Sequence, residues 1–488
     1  MSKSVLTEQN SEISAQKTSH AIVMGGSIAG LLAARVLLNH FQQVTLLDRD
    51  RFPESPAARP GVPQSVHVHA LLLRGQQILE QLFPGILTEL QQSGAQPLDW
   101  IGHWKFLSVW GWLEQHESGL TGLCCSRLLI EWSLRQRLLK YSNFQLRPGC
   151  YVKGLQTDSA NPERIVGVTF QEAPTSTTED NTQSAALQSI RATLVVDATG
   201  RQSKLKTYLS RIGYQPPTET SVNSFLGYAS RWYKRSSNSV QSQSEQGIII
   251  GAAPPNFSRG AVLYPVEGNR QIVTLSGIAG DRPPSDEAGF VSFIKSLRSP
   301  ILYERLQDAE PCSRIYCYQR TENLWRHYED IELPAGLVAL GDAVCCFNPV
   351  YGQGMTAAAL GATILDSLLA KRISSSTRER AEATAINKRF TRQFQRQLAA
   401  MLKTPWLMAT GEDFRWSKTV GDRPGWISKQ LQGYLDCVLQ LSKADSAAHC
   451  AFIEVAHLTK SPIALFAPGL LWRVLAQRFA QNDKTSSR

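Results

Sequence analysis

The sequence of 488 residues has little of what marks several large protein classes: no long apolar run, no paired-cysteine spacing and no strong excess of charge. No uninterrupted apolar stretch reaches the ~20 residues that a membrane-spanning helix needs. The most apolar segment, 462–476, is broken by Pro468 and Arg473. These absences argue against helical membrane spans, and we expect a soluble protein or one that at most lies on a membrane surface.

Cysteine is present but follows no recognisable pattern. The nine cysteines show no CxxC or zinc-finger spacing, and the adjacent pairs Cys124–Cys125 and Cys345–Cys346 cannot each close an ordinary disulfide. The first twenty residues contain neither the apolar run nor the cleavage site of a secretory signal. We therefore expect reduced thiols and a cytoplasmic protein, in which Cys345 and Cys346 pack as small apolar residues.

The charge balance is only mildly basic. Lys and Arg number 51 against 41 for Asp and Glu, and the formal net charge of +10 is scattered along the chain. No basic segment alternates with aromatic residues, so the sequence predicts no nucleic-acid partner. The hydrophobic fraction of 42% excludes an intrinsically disordered chain, and the sequence contains no P-loop and no internal repeat.

The first strong motif is a strand, a glycine-rich turn and a helix near the start of the chain. The apolar run 21–24 predicts a buried strand, which leads into the turn 25–30, with the sequence GGSIAG. A helix over 31–39 and a second apolar strand follow, and that strand ends at Asp48. This order is the dinucleotide-binding βαβ fingerprint, with Ser27 in place of the central glycine.

Each residue of the fingerprint has a physical role in holding a nucleotide. Gly25 permits the tight turn, and Gly30 lets the helix approach the strand closely. The helix N-terminus faces a pyrophosphate, and the side chain of Ser27 either reduces the clearance at the phosphate or donates a hydrogen bond to it. Asp48 stands where a carboxylate accepts hydrogen bonds from both ribose hydroxyls, which favours FAD or NAD over NADP.

Two motifs further along the chain favour a flavin. Residues 194–200 predict a buried strand ending in Asp-Ala-Thr-Gly, and 336–340 predict another that ends at Gly341 and Asp342. A glycine-containing loop and a small-residue helix over 356–370 come next. Asp342 at a strand end can hydrogen-bond a polyol, and a helix start beside a planar ring favours a reduced, anionic flavin.

The segments GGSIAG, DATG and GDAVCCFNPVYGQGM occur in the order and spacing of a known family. Together they resemble the FAD-dependent monooxygenases of the p-hydroxybenzoate hydroxylase type, a superfamily that also includes squalene-epoxidase-like enzymes, flavin halogenases and geranylgeranyl reductases. The segments 59–69, 126–131 and 405–413 are similar to a bacterial branch of natural-product hydroxylases and epoxidases. The resemblance covers residues 20–475.

The resemblance implies an α/β fold with an FAD-binding Rossmann-like domain of the GR2 type, an inserted antiparallel-sheet substrate domain and a C-terminal helical extension. The FAD-binding domain would be discontinuous, built from residues 20–210 and 335–390. The substrate domain would span 211–334, and the helical region would span 391–488.

Local patterns add strands and loops to this outline. Alternation of apolar and polar residues predicts strands over 246–252, 259–263 and 271–276. The Ser/Thr/Gln-rich segments 172–188 and 235–246 predict exposed loops. The three strands would belong to the substrate-domain sheet, whose face would cover the flavin.

The resemblance implies which residues hold FAD non-covalently. The expected cofactor-binding residues are Gly25, Gly26, Ser27, Gly30, Asp48, Arg49, Arg59, Gln64, Arg127, Gly341, Asp342, Pro349, Gly352, Gln353, Gly354 and Met355. His67 and His69 would pass near the flavin as possible pocket residues, and without a third ligand at a supportive spacing we expect no metal. Asp197 is expected to cap or pack at the end of its strand.

An aromatic-rich stretch between residues 100 and 112 allows two interpretations. Trp100, Trp104, Phe106, Trp110 and Trp112 are either core residues or the wall of a substrate pocket. No other group suggests a catalytic acid or base, so the catalytic residues stay unassigned. A flavin reaction is compatible with that absence, because the cofactor carries the difficult chemistry.

In the resembling family, reduced FAD reacts with O2 to form a C4a-hydroperoxide. We therefore expect hydroxylation or epoxidation of a hydrophobic aromatic or alkene-containing natural product, as in secondary metabolism. The sequence contains no second dinucleotide fingerprint. The electrons would therefore come from transiently bound NAD(P)H, that is NADH or NADPH, or from a separate flavin reductase.

Two other reactions within the superfamily remain as alternatives. A flavin halogenase would carry a Trp-x-Trp-x-Ile-Pro segment and a catalytic lysine, whereas Trp110-Gly-Trp112 is followed by Leu113 and Glu114. A reductase of prenyl chains, similar to geranylgeranyl reductases, would carry an aromatic-rich signature that residues 263–267 do not match. Both departures favour monooxygenation.

The last helical segment carries an apolar stripe formed by Leu470, Leu471, Val474, Leu475 and Phe479. The stripe either packs onto the FAD-binding or substrate domain or forms a peripheral membrane contact. The second interpretation follows from the resemblance to squalene-epoxidase-like enzymes, in which such a helix would collect a lipophilic substrate.

Overall fold

A computed structural model describes residues 19–173, 186–235, 246–373, 386–423 and 425–486. Most of the two predicted loops, 172–188 and 235–246, lies outside the described residues, at positions 174–185 and 236–245. At the margins of the first loop, Glu172 ends one strand and Gln188 begins the next.

The described residues form twenty strands and twelve helices of six or more residues. The strands are β1 (His20–Met24), β2 (Gln43–Leu47), β3 (Gln96–Asp99), β4 (Trp104–Ser108), β5 (Gly111–Trp112), β6 (Thr121–Cys124), β7 (Phe144–Arg147), β8 (Cys150–Thr157), β9 (Ile165–Glu172), β10 (Gln188–Arg191), β11 (Leu194–Asp197), β12 (Glu219–Val222), β13 (Gly227–Lys234), β14 (Gly247–Ile250), β15 (Arg259–Val266), β16 (Arg270–Gly277), β17 (Tyr316–Tyr318), β18 (Asn323–Arg326), β19 (Leu337–Ala339) and β20 (Cys345–Cys346). The helices are α1 (Ile28–Leu37), α2 (Leu73–Leu82), α3 (Ile86–Gln92), α4 (Arg127–Leu138), α5 (Leu205–Arg211), α6 (Glu287–Lys295), α7 (Ile301–Leu306), α8 (Gly354–Ile373), α9 (Lys388–Asp413), α10 (Trp426–Leu441), α11 (Ser446–Ala456) and α12 (Pro468–Ser486).

A parallel sheet with the strand order β19-β11-β1-β2-β7 forms the centre of the nucleotide-binding half. Its strands are short runs of apolar residues because helices cover the sheet, and the residues of β1, β11 and β19 are almost all buried. Helix α1 packs against α8, and α9 packs against α8 and β19. The predicted strands are confirmed, while α1 begins three residues earlier than predicted, directly after Ser27.

A second large sheet has seven strands, in the order β17-β13-β16-β15-β14-β4-β5. The three predicted strands are confirmed as β14, β15 and β16. Strands β4 and β5 come from the segment 104–112, earlier than the expected substrate domain, and β4 pairs in parallel with β14. Helices α6 and α7 cover one face of the sheet, so the other face is free to line a cavity.

The C-terminal part is helical, as predicted. Helix α9 is 26 residues long and contains Pro405, and α10, α11 and α12 pack together around a separate apolar cluster. No helix among the described residues is long and apolar enough to cross a membrane.

The apolar stripe of α12 is divided between core and surface. Leu470 and Val474 are 4% and 2% exposed and pack against α10 and α11. They are therefore buried within the C-terminal helical region, whereas the packing interpretation placed them against the FAD-binding or substrate domain. Leu475 is 45% exposed, and Trp472, which was not included in the stripe, is 73% exposed. The side chain of Phe479 lies outside the described part of the chain.

Candidate functional site

A large cavity lies where the carboxyl ends of the parallel strands meet the seven-stranded sheet. Its volume is about 940 Å³, and its wall includes the residues that follow or end β1, β2, β11 and β19. Open α/β sheets bind ligands at this edge, because the strand ends leave a crevice there. The cavity then continues along the apolar face of the seven-stranded sheet.

Two glycines of the first turn are required by close backbone contacts. Gly25 has φ +98°, and a Cβ atom there would lie 2.5 Å from the carbonyl oxygen of Ala198. A Cβ atom on Gly30 would lie 1.8 Å from the carbonyl oxygen of Gly25. Any side chain at either position would therefore displace the turn that begins α1.

The serine that replaces the central glycine belongs to a buried polar cluster. Ser27 Oγ donates a hydrogen bond to Glu131 Oε2 at 2.8 Å and accepts one from Arg127 Nη2 at 2.8 Å. Arg59 Nε donates to the other oxygen of Glu131 at 2.9 Å. The Ser27 hydroxyl has one proton, and it donates that proton in the hydrogen bond to Glu131. The Ser27 side chain therefore orients Arg127 and does not donate a hydrogen bond into the cavity.

Asp48 lines the cavity at the end of β2, and donors of the protein itself form hydrogen bonds to its carboxylate. One oxygen accepts a hydrogen bond from Gly26 N at 2.6 Å, and the other accepts from Asp50 N at 2.8 Å and Arg59 Nη1 at 3.2 Å. Burial raises the pKa of Asp48, while the charge of Arg59 and the backbone hydrogen bonds oppose the rise. The carboxylate is therefore fixed in orientation.

Asp342 follows β19 and faces the cavity from the opposite side. Among the described residues, none donates a hydrogen bond to its carboxylate. Desolvation raises the pKa of Asp342, and the charges of Arg201, Arg127 and Arg326 oppose the rise. The Asp342 carboxylate can therefore accept hydrogen bonds from the hydroxyl groups of a ligand.

The loop before α8 forms the cavity wall next to Asp342. Gly352 has φ +65°, and α8 begins at Gly354 with its N-terminus at the cavity. Two buried polar atoms on the cavity wall, Gln353 Oε1 and Arg127 Nε, have no hydrogen-bond partner in the part of the chain described. Such atoms favour a polar ligand, since an unpaired buried group is costly.

The two histidines of the HxH pair take different positions. His69 lines the cavity, and its Nδ1 donates to the carbonyl oxygen of His67 at 3.0 Å. His67 lies behind the wall, 2% exposed, with Nδ1 2.7 Å from Ser230 Oγ. Burial lowers the pKa of His67 to about 4 and that of His69 to about 3, so both rings are neutral near pH 7.

Most of the predicted cofactor residues meet in this one cavity. The following line its wall: Gly25, Gly26, Ser27, Asp48, Arg49, Arg59, Gln64, Arg127, Asp342, Pro349, Gly352, Gln353, Gly354 and Met355. Gly30 and Gly341 lie behind it, and both permit close packing, since a Cβ atom on Gly341 would lie 2.6 Å from Ala29 Cβ. Asp197 accepts hydrogen bonds from Thr199 and Ser203 and thus shapes the turn after β11, as expected.

The aromatic stretch divides between the two interpretations and partly contradicts both. Trp100 and Trp104 are buried, stack with ring centroids 4.9 Å apart and also line the cavity. Trp110 and Trp112 are 40% and 38% exposed and lie outside the cavity wall, so neither interpretation holds for them. They lie at the edge of the sheet, Trp112 on the edge strand β5 and Trp110 in the turn before it.

Several cavity residues were missed because the sequence gives each of them no distinctive pattern. Tyr228, Tyr264, Thr274 and Tyr318 lie on strands of the seven-stranded sheet, and only the pairing of those strands brings them together. Arg201 could have been noticed, since it directly follows the DATG motif. It donates to Glu322 Oε1 at 2.7 Å and stands on the cavity wall.

The adjacent cysteines near the loop are free thiols, as predicted. Cys345 and Cys346 are 2% and 1% exposed, and neither belongs to the cavity wall. Burial raises the pKa of Cys346 to about 12, so the thiol is protonated and unreactive near pH 7. Packing, rather than redox chemistry, explains this pair.

The fold is one that flavin-dependent monooxygenases and halogenases share. The p-nitrophenol 4-monooxygenase PnpA from Pseudomonas putida DLL-E4 has this fold, with a TM-score of 0.57 and 15% identity over 91% of this chain and 97% of PnpA. The flavin-dependent brominase Bmp2 matches with a TM-score of 0.59 and 14% identity over 90% of this chain and 98% of Bmp2. The expected fold class is thus confirmed.

The chain also has a relative of much higher sequence identity. It belongs to the same family as Protein Rv3254 of Mycobacterium tuberculosis, with which it is 33% identical over 366 residues. The match spans 73% of this chain and 74% of that protein. No protein-family model matches the chain.

Proposed function

We propose that the protein binds FAD non-covalently in this cavity and is a monooxygenase that transfers one oxygen atom from O2 to a hydrophobic aromatic or alkene-containing substrate. One observation carries the proposal. The turn after β1, the end of β2, the start of α4 and the loop before α8 all line one cavity that continues onto an apolar sheet face. The shared fold supports the same conclusion.

The residues present fit FAD. The turn at Gly26 would hold the pyrophosphate and Asp48 the adenosine ribose, while Asp342 would accept hydrogen bonds from the ribityl hydroxyls. Gln353 Oε1 and Arg127 Nε, which have no hydrogen-bond partner among the described residues, would gain partners from the same ligand. When bound and reduced, FAD would supply the electrons and the activated oxygen of the reaction.

The substrate side of the cavity supports a hydrophobic substrate. Ile249, Val262 and Tyr264 face the cavity from neighbouring strands, and Trp104 and Phe347 extend the apolar wall. Side chains of this kind bind an apolar molecule and exclude water from the reacting atoms. Whether such a substrate is hydroxylated or epoxidised then depends on its own functional group.

Halogenation is the alternative that the fold leaves open, since Bmp2 is a brominase. The segment Trp110–Trp112 lacks the Ile-Pro pair of halogenases, and both tryptophans lie outside the cavity wall. These facts favour monooxygenation over halogenation. Reduction of prenyl chains remains the other candidate and would need no oxygen.

The proposal includes two further partners. Electrons would come from NADH or NADPH that binds transiently, or from a separate flavin reductase. We also propose a peripheral membrane contact, supported by exposed apolar side chains near the C-terminus: Ile463 is 77% exposed, Trp472 is 73% exposed and Leu475 is 45% exposed.

Two measurements test the proposal. Acid precipitation of the purified protein should release a flavin that chromatographs as FAD, and FMN or flavin retained in the pellet would contradict the cofactor assignment. A panel of aromatic and polyene metabolites is then incubated with NADH or NADPH under 18O2. One labelled oxygen atom in a product supports monooxygenation, a halogenated product formed with added bromide or chloride identifies a halogenase, and an unlabelled, hydrogenated product identifies a reductase.

A further inference from the structure

A chain of buried polar groups interrupts the apolar sheet face that borders the cavity. In the pairing of β13 with β16, Ser230 lies opposite Thr274, and in the pairing of β16 with β15, Thr274 lies opposite Val262. Ser230 is 0% exposed and stays behind the wall, whereas Thr274 is 9% exposed and lines the cavity. His67 lies behind both, packed against the ring of Tyr228.

Short distances join the three side chains into one hydrogen-bonded row. His67 Nδ1 lies 2.7 Å from Ser230 Oγ, and Ser230 Oγ lies 2.6 Å from Thr274 Oγ1. The backbone N–H of Val68 also donates to Thr274 Oγ1 at 3.3 Å. A threonine hydroxyl has one proton to donate and two positions at which it accepts, so three hydrogen bonds complete it.

Counting these hydrogen bonds leaves Thr274 with one unused position for either tautomer of His67. If Nδ1 of His67 donates, Ser230 donates to Thr274, and the Thr274 proton is free to point into the cavity. If Nδ1 accepts, Thr274 donates to Ser230, and one acceptor position of Thr274 is free. Burial lowers the pKa of His67 to about 4, so the neutral ring can take either form near pH 7.

We propose that the Thr274 hydroxyl, oriented by Ser230 and His67, is the hydrogen-bonding anchor for a mainly apolar substrate that carries a hydroxyl or carbonyl oxygen. The inference rests on the proposed function. Thr274 touches the substrate, whereas Ser230 and His67 are positioning residues. The neighbouring cavity residues Val262 and Ile249 contribute apolar surface, so the oxygen anchor selects among apolar molecules of similar size.

The test uses the FAD-loaded protein and two probes with the same skeleton, 2-naphthol and naphthalene. Each is titrated while the flavin absorbance is recorded, and the ratio of the two dissociation constants is the readout. The wild-type protein should bind 2-naphthol about five- to tenfold more tightly, the effect of one net hydrogen bond. Thr274→Val should reduce the ratio to about 1 while naphthalene binds as before, and Thr274→Ser should keep it.

The remaining variants separate positioning from folding. Ser230→Ala and His67→Phe should lower the ratio without weakening naphthalene binding, because only the direction of the Thr274 hydroxyl is lost. Thr121→Val, an exposed strand residue outside the cavity wall, is the matched control and should leave both constants unchanged. Equal binding of the probes by the wild type, no response to either probe, or a parallel loss of both in Thr274→Val overturns the inference. A protein that carries no flavin overturns the proposed function instead, and this inference with it.

Discussion

At the scale of single residues, the proposed cofactor site is built from charges that the protein has already oriented. Arg59 donates to Asp48, Asp50 and Glu131, and Glu131 in turn accepts from Ser27. Buried ion pairs of this kind need complete hydrogen bonding to offset desolvation. Asp342 differs because no described residue donates a hydrogen bond to its carboxylate.

The first prediction concerns Asp342. Asp342→Ala should weaken FAD binding by about one to two decades, because a hydrogen bond to a charged group contributes ~1.5–3 kcal/mol. Flavin fluorescence during titration of the apoprotein measures the dissociation constant. The exposed Asp422→Asn serves as the control and should bind FAD like the wild type. Unchanged affinity in Asp342→Ala would show that the carboxylate does not face the cofactor.

A second residue-scale prediction concerns Asp413, at the end of α9. Its carboxylate is 1% exposed and accepts hydrogen bonds from Asn323 Nδ2 at 2.6 Å and Asn348 Nδ2 at 2.8 Å. Burial raises its pKa from 3.8 to about 6, although these hydrogen bonds oppose the rise. The folded state therefore binds this proton more tightly than the unfolded state, and the stability contributed by Asp413 falls as pH rises from about 4 to about 6.

Asp413→Asn should remove that pH dependence. The difference in free energy of unfolding between wild type and variant should be larger at about pH 4.5 than at about pH 7.5 by about 2 kcal/mol. Denaturant unfolding at the two pH values measures it, and subtraction cancels the groups that both proteins share. A difference that is constant or grows with pH would contradict the raised pKa. The variant should also be less stable throughout, because one amide oxygen replaces two acceptors.

At the scale of helices and strands, the sequence predicted elements whose residues show a local period. The strands 21–24 and 44–47 were evident because parallel strands buried on both faces consist of apolar runs. Strands β4 and β5 could not be assigned to the seven-stranded sheet, since β4 pairs with β14, about 140 residues further along the chain, and β5 joins the sheet only through β4. The same reason hid Thr274 and Ser230, whose roles arise only from cross-strand pairing.

The C-terminal helices carry the element-scale prediction. Ile463 and Trp472 are largely exposed, and burying a large apolar side chain contributes ~1.5–3 kcal/mol. We expect the intact protein to float with anionic vesicles. A double variant that combines Ile463→Ser and Trp472→Ser should no longer float. The matched control is Leu139→Ser with Leu187→Ser, at 50% and 61% exposure on another part of the surface. A wild-type protein that does not float, or a control that loses flotation equally, contradicts the membrane contact.

At the scale of the whole molecule, the proposed site joins parts of the chain that are far apart in sequence. Residues near positions 25, 127, 262 and 342 line the same cavity, and they come from the parallel sheet, α4, the seven-stranded sheet and the loop before α8. The sequence motifs predicted residues that line the proposed cofactor side of the cavity, because each motif forms its own backbone turn. The substrate side depends on the shape made by two sheets together, which no single segment encodes.

Because residues of both sheets line the cavity, we expect FAD binding to stabilise both sheets against unfolding together. A ligand that binds only the folded state adds about 2.7 kcal/mol of stability at a concentration about a hundred times its dissociation constant. The Tm of the apoprotein should therefore rise steadily with FAD concentration. Intrinsic tryptophan fluorescence and far-ultraviolet circular dichroism should report one transition. Asp342→Ala should need about ten to a hundred times more FAD for the same rise, in proportion to its weaker binding. If FAD raises only one of two separate transitions, the two sheets unfold independently, and the cavity does not couple them.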